Sequence, residues 1–217
     1  MKLLAFALVL GVLAGFEPAP AVVGNAGHNA AASIDPIRYR LDSARSSFVV
    51  HANRAGITWF KGHSHRIAAK DFSGEVVVDP GALDAASLLL TVRANSLEET
   101  DKVFTPQQKA IIKKELDELV LESSKYPEIA FRSTGVKGSL DRGAFDIKIE
   151  GELTLHGVTR RVTIPARVTL EGDSLRAVGE FEINRKKYGV NATTAGRSLV
   201  RVRHTLKFKF DIIGTRV

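Results

Sequence analysis

The sequence predicts an all-β protein, an antiparallel sandwich or barrel of about eight strands with one amphipathic helix inserted at about 105–123. Three observations carry this expectation. Apolar and polar residues alternate with period two through most of the chain, turn residues recur at hairpin spacing, and one segment switches to a helical period.

The alternation is clearest in the C-terminal half. Across 200–212 the even positions are Val200, Val202, His204, Leu206, Phe208, Phe210 and Ile212, and the odd ones run Arg201, Arg203, Thr205, Lys207, Lys209 and Asp211. A pleated strand sends successive side chains to opposite faces, so this segment reads as a strand with one buried and one wet face. Phe145, Ile147, Ile149, Leu153 and Leu155 alternate in the same way with Asp146, Lys148, Glu150, Glu152 and Thr154. Val162, Ile164, Ala166, Val168 and Leu170 form a further apolar face, and Phe181 and Ile183 another. Turn signals at Asp141-Arg142-Gly143, His156-Gly157 and Glu171-Gly172-Asp173 separate these runs. Shorter runs of the same kind lie at 47–52, 72–79, 87–94 and 129–136. Hairpin-length links argue against parallel βαβ units.

The helical segment opens with Thr105-Pro106-Gln107-Gln108, which supplies an N-cap, a proline at the first helical position and a glutamine three residues after the cap. Ile112, Leu116, Leu119 and Val120 then share one face, and the helix ends before Pro127. Such a helix lies against the sheet or across a barrel mouth.

Composition narrows the function classes. The 217 residues are 44% hydrophobic and 25% charged, close to ordinary globular values, which excludes disordered and low-complexity readings. The absence of cysteine removes disulfides, thiolate metal sites, a cysteine nucleophile and a lipidated N-terminal cysteine. The net charge of +7 is dispersed among the strands with no block of five like charges, so nucleic acid is not read as a partner. A membrane-spanning barrel would point its apolar face outward and carry aromatic girdles, whereas Trp59 is the sole tryptophan beside three tyrosines.

The N-terminus reads as an export signal. Lys2 precedes an apolar run at 3–15, followed by Ala19-Pro20-Ala21, a small-x-small cleavage site; Ala30-Ala31-Ala32 is the fallback. The run is too short to cross a hydrocarbon layer of about 30 Å. The expected organisation is a signal peptide at 1–21, a Gly/Asn/Ala/Ser-rich leader at 22–36 and one domain at 37–217, located in the periplasm or secreted.

Several stretches resemble the YceI-like family, periplasmic lipocalin-like barrels that bind polyisoprenoid chains. They are Leu41-Asp42-Ser43 with Ser47-Phe48, Gly62-His63-Ser64-His65, Phe72-Ser73-Gly74, Tyr126-Pro127-Glu128-Ile129-Ala130-Phe131-Arg132-Ser133, Gly151-Glu152-Leu153-Thr154-Leu155-His156-Gly157-Val158-Thr159, and Ile183-Asn184-Arg185 with Tyr188-Gly189-Val190. Together they span about 39–213. The tail after Val190 departs from the family's acidic ending. The resemblance implies an elongated lipocalin-like antiparallel barrel with one inserted helix and an apolar pocket for an isoprenoid or similar lipid, a polyisoprenoid or quinone included.

The residues expected to line that pocket are Phe48, Phe131, Phe145, Leu153, Leu155, Ile164, Phe181, Ile183, Leu206, Phe208 and Phe210. The alternative for each is a place in a filled core. Arg185 is expected either to lock a loop by pairing with a carboxylate or to meet a ligand's anionic head group through its planar fork. His63 and His65, two apart, share a face of a strand at the pocket mouth. They offer hydrogen bonds or, as the rival reading, two ligands of a metal. His204 reads as a satisfied buried histidine, and His156 as a turn residue bonding the backbone. No nucleophile–base set, phosphate loop or carboxylate pair is recognisable, so the sequence reads as a binding protein without cofactor, not an enzyme. A lipid is the expected partner, transient membrane contact is compatible with that role, and a homodimer is left open.

Overall fold

The computed structural model describes residues 35–55, 64–79, 82–191 and 201–217, with the side chains of 54, 55, 201 and 202 excepted. The first strand, β1 (Ile37–Ala52), is long and bent. Asp42 Oδ1 accepts the Ala44 and Arg45 N–H groups at 3.0 and 3.2 Å. The Asp42 carbonyl takes the Ser46 hydroxyl at 2.5 Å, and Ser46 Oγ in turn accepts the Ile213 N–H at 2.8 Å. These short polar side chains absorb a bulge between Asp42 and Ser47. The bulge shifts the cavity-facing parity: Leu41 borders the cavity before it, Phe48 and Val50 after it.

Beyond β1, the short β2 (Arg54–Ala55) pairs with β11 (Arg201–Val202) in a separate ribbon. One half of β1 pairs with β3 (His65–Ala69) and the other with β4 (Phe72–Val78). The ring continues through β5 (Ser87–Arg93), β7 (Glu128–Asp141), β8 (Ala144–Leu155), β9 (Val158–Glu171), β10 (Ser174–Asn184) and β12 (Thr205–Arg216). The last of these pairs back onto β1, so eight antiparallel strands close a barrel; β6 (Leu97–Glu99) flanks β3 outside the ring.

The late hairpins follow from their turn residues. Arg142 and Gly143 have φ of 48° and 80°, and His156 and Gly157 have 53° and 72°. Positive φ at both central residues is the geometry that matches the twist of two-residue hairpins. The β9–β10 ladder stops at Arg167↔Val178. Pro165 lies two residues further along, with no N–H to extend the ladder.

The inserted helix is α1 (Pro106–Glu115), continued by one wider turn over Leu116–Val120. Its capping box is formed: Gln108 N–H donates to Thr105 Oγ1 at 3.3 Å and Thr105 N–H to Gln108 Oε1 at 2.8 Å. Ile112, Leu116 and Val120 pack on the barrel core, whereas Ile111 and Leu119 are exposed. No described helix is long and apolar enough to cross a membrane.

Two sequence expectations are corrected. The strand over 200–212 is interrupted at Arg203 and His204 and then runs on to Arg216. That break leaves His204 exposed rather than buried, its carbonyl accepting the Arg185 N–H at 2.9 Å. His156 does sit in the predicted turn, but its ring meets the Glu122 carboxylate (Nε2 to Oε2, 2.6 Å) instead of the backbone.

Candidate functional site

The inward residues of the ring leave space between them. A cavity of about 590 Å³ runs through the barrel, walled by all eight strands of the ring, by β3 and by α1. At one end stand Asp79, Leu83 and Ser87 beside the far strand termini. At the other stand His65, Gln108, Arg185 and Val190, with Ile112, Leu116 and Leu121 from the helical segment. The wall is overwhelmingly apolar because each strand sends its even-spaced Val, Ile, Leu or Phe inward.

Ten of the eleven predicted lining residues border this cavity: Phe48, Phe131, Phe145, Leu153, Leu155, Ile164, Phe181, Leu206, Phe208 and Phe210. Ile183 is buried in the core cluster and does not border it. The aromatics form a connected belt. Phe181 stacks on Phe208 at 4.8 Å between centroids, Phe208 meets Phe48 at 5.9 Å, and Phe48 meets Phe72 at 6.5 Å. Apart from Phe48 and His65, the sequence reading omitted the wall contributed by β1, β3, β4 and β5, including Leu41, Val50, Ile67, Val76, Leu88, Leu90 and Val92, and that of α1. The Leu88-x-Leu90-x-Val92 alternation was the available signal.

The polar residues on the wall are few and individually held. Arg185 is 7% exposed and borders the cavity. Its Nη1 donates to the Val190 carbonyl at 2.8 Å and its Nε to the Arg203 carbonyl at 3.2 Å. It therefore locks the end of β10 to two chain segments, the first of the two roles the sequence offered it, through main-chain carbonyls and not the expected carboxylate. Burial pulls its pKa below the usual guanidinium value. That cost of desolvating a charge is offset by these charge-assisted bonds.

His65 lies on β3 with its ring parallel to Phe104, 5.2 Å between centroids. Its Nδ1 is 2.8 Å from Glu99 Oε2. Glu99 has an inaccessible side chain, and its Oε1 accepts the N–H groups of Arg66 at 3.2 Å and Asp101 at 2.8 Å. Burial pushes this carboxyl up, but the His65 ring and the two N–H donors overcome it and hold its pKa below the ordinary value. Sequence reasoning missed Glu99, because nothing local marks a contact made across 34 residues. His63 lies outside the described residues. Among the described residues no group of three or more His, Asp or Glu side chains is placed to hold a metal.

A small closed antiparallel barrel with an apolar bore and a few polar residues toward its ends is an architecture with room for one small hydrophobic ligand. The chain belongs to the YceI-like family: the family model for the YceI-like domain matches residues 39–213. A UPF0312 protein of Vibrio cholerae is 30% identical over 123 residues, which covers 57% of each chain. Protein YceI of Salmonella arizonae is 30% identical over 166 residues, 72% of this chain and 76% of that one. Among solved structures, BcnA of Burkholderia cenocepacia superposes with a TM-score of 0.64 at 21% identity, covering 81% of this chain and 99% of that chain. A polyisoprenoid binding domain from Saccharophagus degradans superposes with a TM-score of 0.63 at 14% identity, covering 82% and 98%. At these identities the two structures establish a shared barrel.

Proposed function

We propose that this protein holds one long-chain lipid of the isoprenoid type inside the barrel, without chemical conversion, in the periplasm or a secreted location. The observation that carries the reading is the continuous apolar cavity of about 590 Å³. A cavity of this volume falls within the range of about 300–1,000 Å³ that small-molecule sites occupy, and its wall is overwhelmingly apolar. A prenyl or acyl chain gains about 0.8 kcal/mol for each CH₂ it takes out of water and needs no directional contacts along its length. The description of the Saccharophagus degradans relative as polyisoprenoid binding supports the isoprenoid class. The export-signal pattern at 1–21 supports the location.

The test is extraction of protein purified from its native envelope, with native mass spectrometry before and after. The expected result is one prenyl or comparable lipid per barrel. A protein that emerges empty and takes up no added prenol refutes the reading. N-terminal sequencing of the exported form tests the location, with cleavage expected after Ala21.

A further inference from the structure

The apolar bore accounts for the chain of a lipid, and the His65–Glu99 pair bears on its polar end. Glu99 is an ionised acceptor whose two oxygens are both occupied, Oε1 by two N–H groups and Oε2 by the His65 ring. A carboxylate has no hydrogen to give, so the hydrogen in the 2.8 Å contact sits on His65 Nδ1. In a neutral imidazole the other nitrogen, Nε2, then carries only a lone pair. The stack on Phe104 fixes the ring plane, and His65 and Phe104 both border the cavity. Among the described residues nothing hydrogen-bonds Nε2. Gln108 borders the same cavity, and its amide oxygen is engaged by Thr105 N–H, which leaves its NH₂ as a donor. With the ring neutral, the wall therefore offers an acceptor on His65 to which a hydroxyl can give a hydrogen bond, and Gln108 adds a donor on the same wall.

Building on the lipid-binding reading, we propose that His65 Nε2 is the head-group contact of the cavity, and that it selects lipids ending in a free hydroxyl, an alcohol or a phenol. Ethers and phosphate esters of the same chain offer it no hydrogen or meet it with negative charge. The Glu99 carboxylate behind the ring fixes this polarity, because it dictates which nitrogen is protonated.

Delipidated full-length protein is titrated calorimetrically at pH 8 with farnesol, its methyl ether and farnesyl phosphate. The alcohol is expected to bind about fivefold tighter than the ether, the equivalent of one net hydrogen bond, with the phosphate weakest. His65→Phe keeps the stack on Phe104 and is expected to bind alcohol and ether equally. Nitrogen-15 NMR of the unmodified protein, which requires no variant to fold, is expected to place the hydrogen on Nδ1. Equal affinities for alcohol and ether in the unmodified protein, tighter binding of the phosphate, or a hydrogen found on Nε2 would overturn the head-group assignment while leaving chain binding intact. Failure of all three lipids to bind would remove the lipid reading and this assignment together.

Discussion

Ala166 tests whether the barrel interior is a bore or a core. It is buried on β9, paired with Ile147 of β8, and its methyl group borders the cavity. Ala166→Phe adds a phenyl ring at that wall. If the roughly 590 Å³ in front of it is free, the ring enters the bore, and burying it contributes about 1.5–3 kcal/mol, less some loss of rotamer freedom. The lipid-free protein then gains on the order of 1 kcal/mol or holds its stability. In a filled core the same ring overpacks its neighbours and costs about 1–3 kcal/mol. The ligand responds oppositely: a ring across the bore displaces about four methylenes at roughly 0.8 kcal/mol each, which weakens a chain by about 200-fold. Urea unfolding of delipidated protein reads the first quantity and calorimetric titration with a long-chain prenol the second. A variant destabilised by about 1–3 kcal/mol with prenol uptake unchanged would refute the reasoning.

Other positions give further predictions. Gly151→Ala would place a Cβ 2.4 Å from Phe131 Cζ and 2.5 Å from the Arg132 carbonyl, so main chain and ring must both move. A loss of about 2–3 kcal/mol in urea unfolding is expected, and a neutral variant would show that the β7–β8 contact is looser than described. Arg185→Lys retains the charge but not the fork that reaches the Val190 and Arg203 carbonyls, and is expected to cost about 1.5–3 kcal/mol, read as a lower thermal midpoint. His51 is held below the ordinary imidazole value by burial first, then by Arg66, Lys209 and Lys207. A depressed base binds its proton more readily in the unfolded chain, so stability is full above about pH 6.5 and declines as pH falls from there toward the folded value. His51→Gln is expected to flatten that part of the urea-midpoint profile, and an unchanged slope would exclude His51 as its source. In hydrogen exchange the α1 amides are expected to exchange faster than those of β8 and β9, because α1 contains no fully buried residue. Thr105→Ala, which removes the cap, is expected to widen that difference.

How much of this was legible follows the physics of each segment. β8, β9 and β10 could be read directly, because unbroken alternation sets their faces and the turns at 142–143 and 156–157 set their registers. The helix start was legible for a comparable reason: the capping box is a contact among four neighbouring residues. β1 was obscured by its bulge, which moves the cavity-facing set from the odd Leu41 to the even Phe48 and Val50, so no single parity describes it. His204 was misplaced by extending one parity through a break that only the Arg185 contact reveals. Glu99 and Glu122 were silent in the sequence, since each acquires its role from a histidine 34 positions away.

Those two carboxylates bracket the helical segment. Glu99 precedes α1 and is tied to His65 on β3; Glu122 follows it and is tied to His156 in the β8–β9 turn, where Tyr126 covers the ring at 4.3 Å. Between these ties the segment sets Ile112, Leu116 and Val120 on the barrel core but leaves Ile111 60% and Leu119 57% exposed. A helix held mainly by burial would move only at the cost of its whole apolar face. This one is flanked at both ends by polar pairs and contributes only partly buried apolar side chains in the middle. The helical segment is thus a part of the cavity wall whose position rests on polar pairs at its two ends together with three partly buried apolar side chains, and not on a fully buried face.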